Sequence, residues 1–318
     1  MVYYFDKHLP PFSDHEIPHS GYAFLMNVNS IVGAKIFEIF PGVVLRRATP
    51  QEIKEIKPNV KKLHPFSHMN FWEQPAPYRA GPPVHLPRSK WRYYVLSFQD
   101  SFSYFKRILS ILELADLELE VGLEVLHVPR SKATIVHSAK IFHFLECDAK
   151  QELFAVTPDG IGDLQSLSEK IEKHDNSAIN MDGIIKALRD IKLLPYYSQM
   201  RALAYFAVLE SLITHDPNNQ IPPHSITHQV KTKMILLNKR FPRPMNYSVF
   251  GKVSEEKIWT MLYSYRSALA HGDTPDFKHK MKILKDSKSS LQFIKEAVKS
   301  VARQALIEPH LIANLKEC

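Results

Sequence analysis

Proline constrains this chain more than any other residue, because its distribution splits the sequence into two parts that cannot fold alike. Twelve of the 22 prolines lie in residues 1–90, and they are densest between Pro65 and Pro87. Proline has no backbone N–H and a fixed φ, so long helices are disfavoured there and short strands joined by irregular loops are expected. Gly21–Val28, Ala34–Ile39 and Trp91–Ser97 read as strands. One helix start is marked: Thr49-Pro50-Gln51-Glu52 sets a cap, a first-turn proline and a returning glutamate in capping-box order. It predicts a helix from Pro50 to about Lys57. Tyr104, Ile108, Ile111, Leu112 and Ala115 recur at helical spacing and predict a second one over Phe102–Leu119. Residues 1–165 are therefore expected to form a mixed α/β region.

The pattern changes after the polar stretch Ser166–Asn180, which predicts a helix end and a loop within a connecting segment, residues 166–194. Helices are expected at Met181–Lys192, Gln199–His215, Ser225–Phe241, Ser254–His271 and Ser289–Ile307, with connectors rich in Pro, Asn and Gly. In the last, Leu291, Ile294, Val298, Val301 and Ala305 make one apolar stripe. Residues 195–318 thus read as a helical bundle, and the whole chain as α+β.

At 318 residues the chain is long enough for two domains. Its 45% hydrophobic and 23% charged content excludes wholesale disorder and collagen-like repeats. No apolar run approaches a membrane span; Tyr22–Met26 is core-sized. Met1-Val-Tyr-Tyr-Phe-Asp lacks the basic start of a secretory signal, and Cys147 and Cys318 have no metal or redox spacing, so a cytoplasmic setting is expected. Of the 41 Lys and Arg and 33 Asp and Glu, residues 195–318 hold 18 and 10, so the whole net charge of +8 falls on the helical part. A basic balance of this kind suits an anionic partner, nucleic acid first, or simply a soluble surface.

The stretch that carries chemistry runs from Ile258 to Asp273. Ser254 is a good N-cap, Glu255 and Glu256 complement the helix dipole, and Ile258, Met261, Leu262, Tyr265 and Leu269 should face the core. Gly272 is a natural stop, which places His271 at the last turn. Arg266, a polar Ser267, three small or apolar residues, then His271 and Gly272 resemble the Arg-x4-6-His signature of HEPN-domain ribonucleases. The surrounding text, including Ala207-Val-Leu-Glu210-Ser-Leu-Ile on an earlier helix, resembles the Apea-like branch. The resemblance covers about residues 195–310.

What it implies is a metal-independent, cofactor-free endoribonuclease acting as a homodimer, with an antitoxin or a phage-derived trigger as a further partner. Arg266 and His271 would be catalytic and Ser267 supporting. The chemistry needs little machinery. RNA brings its own nucleophile, the 2′-OH, so a proton shuttle (His271) and a cation beside the phosphate (Arg266) suffice. Five residues at about 100° each set the two side chains roughly 140° apart on a helix, so convergence requires the long arginine or a second copy of the chain. The bland alternative is a helix-capping histidine and a solvated arginine on a bundle that only dimerises or binds RNA.

Glu210 lies among apolar neighbours, and a buried carboxylate needs a cation, for which Arg266 is the natural partner; an exposed helix edge is the alternative. Lys231, Lys233, Lys239 and Arg240, followed by Arg243, could track an RNA backbone or form a solvated face. The pairs His64/His68 and His224/His228 lack a third ligand, so no metal site is expected. Gly160-Ile-Gly162 is too short for a phosphate loop.

Overall fold

The computed structural model describes residues 2–4, 21–63, 71–73, 85–98, 102–127, 132–135, 153–195, 198–215 and 225–318. The chain is α+β and divides into two units, Met1–Glu169 and Lys170–Cys318.

The first unit is built on β1 (Val2–Tyr4), β2 (Gly21–Leu25), β3 (Val28–Ile31), β4 (Ile36–Phe40), β5 (Val43–Arg47), β6 (Tyr94–Phe98), β7 (Val121–Leu126), β8 (Lys132–Ile135) and β9 (Phe154–Val156). Seven of these strands form one sheet in the order β1-β8-β7-β2-β6-β5-β4, every neighbour antiparallel; β3 and β9 pair in parallel as a separate ribbon. The central strand β2 is buried along its whole length, so both sheet faces are covered. Side chains alternate accordingly. Tyr22, Phe24, Val95, Leu123 and Val125 pack with Trp72 and with Ile56 and Val60 of α1 (Pro50–Leu63). On the other face Val43 and Leu96 meet Ile108, Ile111 and Leu112 of α2 (Phe102–Leu114) and Leu164 of α3 (Pro158–Lys173).

The expected strand Gly21–Val28 stops at Leu25, and a second strand, β3, begins at Val28. Asn27 lies in the break: its Nδ2 donates to Glu118 O at 2.6 Å and its Oδ1 accepts from Glu120 N at 2.9 Å. The same clamp turns the chain into β7, which is why the helix expected to reach Leu119 stops at Leu114. The Thr49 capping box forms as read, Thr49 N to Glu52 Oε2 at 2.7 Å and Glu52 N to Thr49 Oγ1 at 3.2 Å. Its helix nevertheless runs past Lys57 with Pro58 inside. Buried Asn59 and Val60 hold that turn in the core, and Asn59 Nδ2 donates to Glu55 O at 2.7 Å.

The second unit contains α4 (Met181–Leu193), α5 (Met200–Ile213), α6 (Ile226–Asn238), α7 (Glu255–Ala270), α8 (Ser287–Ile307) and α9 (Pro309–Glu317). Ser254 caps its helix as expected, and Asn180, Ser225 and Asp286 do the same for theirs, each accepting the N–H three residues on. Helix α5 is central, packing on α4, α6, α7, α8 and α9. Ile185, Leu188 and Ile191 of α4 are buried, so this helix belongs to the bundle's core rather than to a connecting segment.

Candidate active site

Helix α7 carries the Arg/His pair. Ile258, Trp259, Leu262, Tyr263, Tyr265 and Leu269 are buried along it, while Met261 is only half-buried. The helix stops as its sequence requires. Asp273 N donates to Ala268 O at 2.8 Å and Gly272 N to Leu269 O at 3.2 Å, with Gly272 at φ 77°, the two bonds and the left-handed residue of a Schellman motif. His271 is the capping residue, exposed, with its own N–H on Ser267 O at 3.1 Å. A β-carbon on Gly272 would meet open space, so only the backbone conformation demands glycine. Gly272→Ala should therefore cost about 1 kcal/mol of stability. Chemical denaturation reads this directly, and an unchanged midpoint would show that the cap is not held as described.

The carboxylate expected beside Arg266 is there. Glu210, on the central helix α5, accepts from Arg266 Nη2 through Oε2 at 3.3 Å; Arg266 Nε lies 3.3 Å from Oε1, at ion-pair distance but without hydrogen-bond alignment. Tyr263 Oη donates to the same Oε1 at 3.1 Å. Burial, and after it the facing Glu210 carboxylate, hold the Tyr263 hydroxyl well above its ordinary pKa, so it remains a donor at neutral pH. Phe206 of α5 packs edge-on against the Tyr263 ring at 5.4 Å. Three side chains on two packed helices thus define where the guanidinium sits. Glu210 is 14% exposed and Arg266 37%, so the arginine keeps an open side for an anion. The pair is worth roughly 1 kcal/mol in that setting, so orientation is its larger effect.

The remaining expected residues are less gathered. Ser267 is exposed. No hydrogen bond or ion pair joins Arg266 to His271 within the chain; Glu210 is the only side-chain partner of Arg266 among the described residues. The basic row expected on α6 is not a row of free cations. Lys231 pairs with Glu256 at 2.8 Å and Arg240 with both carboxylate oxygens of Glu308. Lys233 is 5% exposed, its ammonium on Ile213 O at 2.9 Å and Gln229 Oε1 at 3.3 Å. Burial pulls it below the ordinary lysine pKa. It sits on the face of Val230, Met234 and Leu237 and caps the end of α5, so it cannot meet an RNA backbone at the surface. Lys239 alone of the four is exposed without such a partner.

Sequence reasoning missed a more promising set of cations. Lys278, Lys280, Lys282, Lys285 and Lys288 follow His271 directly and are all exposed. Their signal was a plain charge run after the helix. Among the described residues no three His, Cys, Asp or Glu side chains gather as a metal site. His64, His68 and His224 lie outside those residues, and Gly160 and Gly162 fall in the first turns of α3. No family model, curated protein or solved structure matches the chain.

Proposed function

We propose that this protein is a metal-independent endoribonuclease whose active site is built on Arg266 and His271 of the helical unit. The observation that carries the reading is the Glu210–Arg266 pair: a part-buried carboxylate on the central helix aims a guanidinium whose other side is open, five residues before an exposed histidine. His271 takes the proton from the ribose 2′-OH as that oxygen attacks the adjacent phosphorus. Arg266 neutralises charge on the phosphorane oxygens. The P–O5′ bond breaks, and the leaving 5′-oxygen takes a proton from a second imidazole or water. The products are a 2′,3′-cyclic phosphate and a 5′-OH end. Purified protein incubated with total RNA in excess EDTA should cleave it; intact RNA, or cleavage that needs added divalent metal, would reject this chemistry.

The absence of a hydrogen bond or ion pair between Arg266 and His271 favours one second reading, a non-cleaving scaffold that dimerises or binds RNA. The EDTA experiment separates the two. The cell setting that suits the first is cytoplasmic control of RNA, in phage defence or a toxin–antitoxin pair, with the first unit as restraint. Expressing residues 170–318 alone should then inhibit growth more strongly than the full chain. Equal growth with both would assign the first unit to targeting or partner binding instead.

A further inference from the structure

The chain between α7 and α8 is folded onto the helix that bears Arg266. Phe277 packs against the Tyr265 ring at 5.5 Å, and Ser287 Oγ lies 2.9 Å from Tyr265 Oη, so both ends are pinned to the residue next to Arg266. Pro275, Met281 and Leu284 are buried beneath. Asp276 ties the first turn together by accepting from the N–H groups of Lys278 and His279, both at 3.0 Å, and from the His279 ring. With the apolar side chains inside, the cations are outside: Lys278, Lys280, Lys282 and Lys285 make no side-chain ion pair or hydrogen bond among the described residues. Asp276 and Asp286 are engaged as turn and cap acceptors, while exposed Asp273 is the remaining acidic group of the segment.

Lys285 and the next lysine, Lys288, occupy positions that local energetics disfavour. Lys285 is the only non-glycine at positive φ among the described residues (φ 65°, ψ −68°), and Asp286 N donates to Leu284 O across it at 2.8 Å, a strained γ-turn. Lys288 lies in the first turn of α8, at the positive end of the helix dipole. Glycine in the first place and an acidic residue in the second would be more stable. Exposed cations kept on this loop at local cost indicate an anionic ligand with several charges.

We propose that Lys278, Lys280, Lys282, Lys285 and Lys288 form a binding surface for the phosphate backbone of single-stranded RNA, which leads the strand toward Arg266 and His271. The choice of RNA among polyanions rests on the ribonuclease reading; the single strand follows because in-line attack by a 2′-OH needs a backbone free of helical geometry. Binding through phosphates is insensitive to base sequence and steeply sensitive to salt.

The test uses the full-length His271→Ala protein, so that binding is read without cleavage, with a labelled oligouridine as probe. Replacing Lys278, Lys280 and Lys282 together by Gln should weaken binding at least tenfold. It should also flatten the slope of log K against log salt by about 2, from about 0.7 per lost single-strand phosphate contact. Lys285→Gly should weaken RNA binding while raising the melting temperature, a combination that a merely structural lysine would not give. Lys186→Gln, an exposed lysine paired with Asp190, should change neither. Unchanged affinity and slope in the triple variant overturn the proposal, as does a loss confined to phosphatidylserine vesicles run alongside. Wild-type protein that binds RNA through these lysines but never cuts it would sink the ribonuclease reading and leave this surface standing. Cutting unaffected by the triple variant would do the reverse.

Discussion

Arg266→Ala and His271→Ala are each expected to lower RNA cleavage by at least about 100-fold, the usual loss when a phosphate clamp or a proton shuttle is removed. Neither should unfold the protein. His271 is exposed and Arg266 partly so, and the buried faces of α7 are made by other residues. Arg266→Lys should fail nearly as badly, because the site is shaped for a planar fork: one edge rests on Glu210 while the rest faces outward, and an ammonium cannot serve both. Glu210→Gln should act through Arg266 and cost less, raising KM more than it lowers kcat, since the guanidinium remains but is aimed less firmly. Cleavage rates with thermal melting on the same samples decide it. Near-wild-type cutting by either alanine variant would remove the assignment.

Dilution is expected to abolish cleavage as well. One chain offers one Arg266 and one His271, roughly 140° apart on the helix and joined by no hydrogen bond or ion pair. On the proposed chemistry a base, an acid and a phosphate clamp would require a second copy, and a two-fold axis between two α7 helices would bring two of each into one cleft. Below the dissociation constant of that dimer, specific activity should fall in proportion to protein concentration. The gathered cations repel, so the empty dimer should weaken at low salt and tighten with bound phosphate. Mixing the two inactive variants should restore part of the activity, because the Arg266→Ala chain still supplies a histidine and the His271→Ala chain an arginine. Sedimentation at several concentrations, with and without phosphate, runs beside the assay. A monomer with full specific activity would contradict the composite site.

The helical unit was legible because its signals are local. Ser225, Ser254 and Gly272 mark helix ends by their own hydrogen bonds and φ, so the expected bounds differ from the observed ones by at most three residues. The sheet was less so. β1, β5, β7, β8 and β9 were not foreseen, the runs being only three to six residues long, although in β7 Val121, Leu123 and Val125 alternate with Gly122 and Glu124 as a strand does. The break at Asn27 depends on partners some ninety residues away. Within the site, Glu210 announced itself as one carboxylate in an apolar helix. Lys233 misled because a charged residue was given to the surface although its spacing from Val230 and Leu237 placed it inward. The loop after His271 gave no sign of order, because Phe277 and Ser287 are anchored on Tyr265 only in the folded chain.

End-group chemistry tests the central claim most directly. Wild-type and His271→Ala proteins are incubated with a defined single-stranded RNA in EDTA, and the fragments are probed for their termini. Catalysis through the substrate's own 2′-OH predicts 2′,3′-cyclic phosphate and 5′-OH ends in the wild-type reaction, no cutting of an RNA methylated at every 2′-oxygen, and none by the variant. Fragments bearing 5′-phosphate and 3′-OH ends, or equal cutting by the variant, would contradict the account.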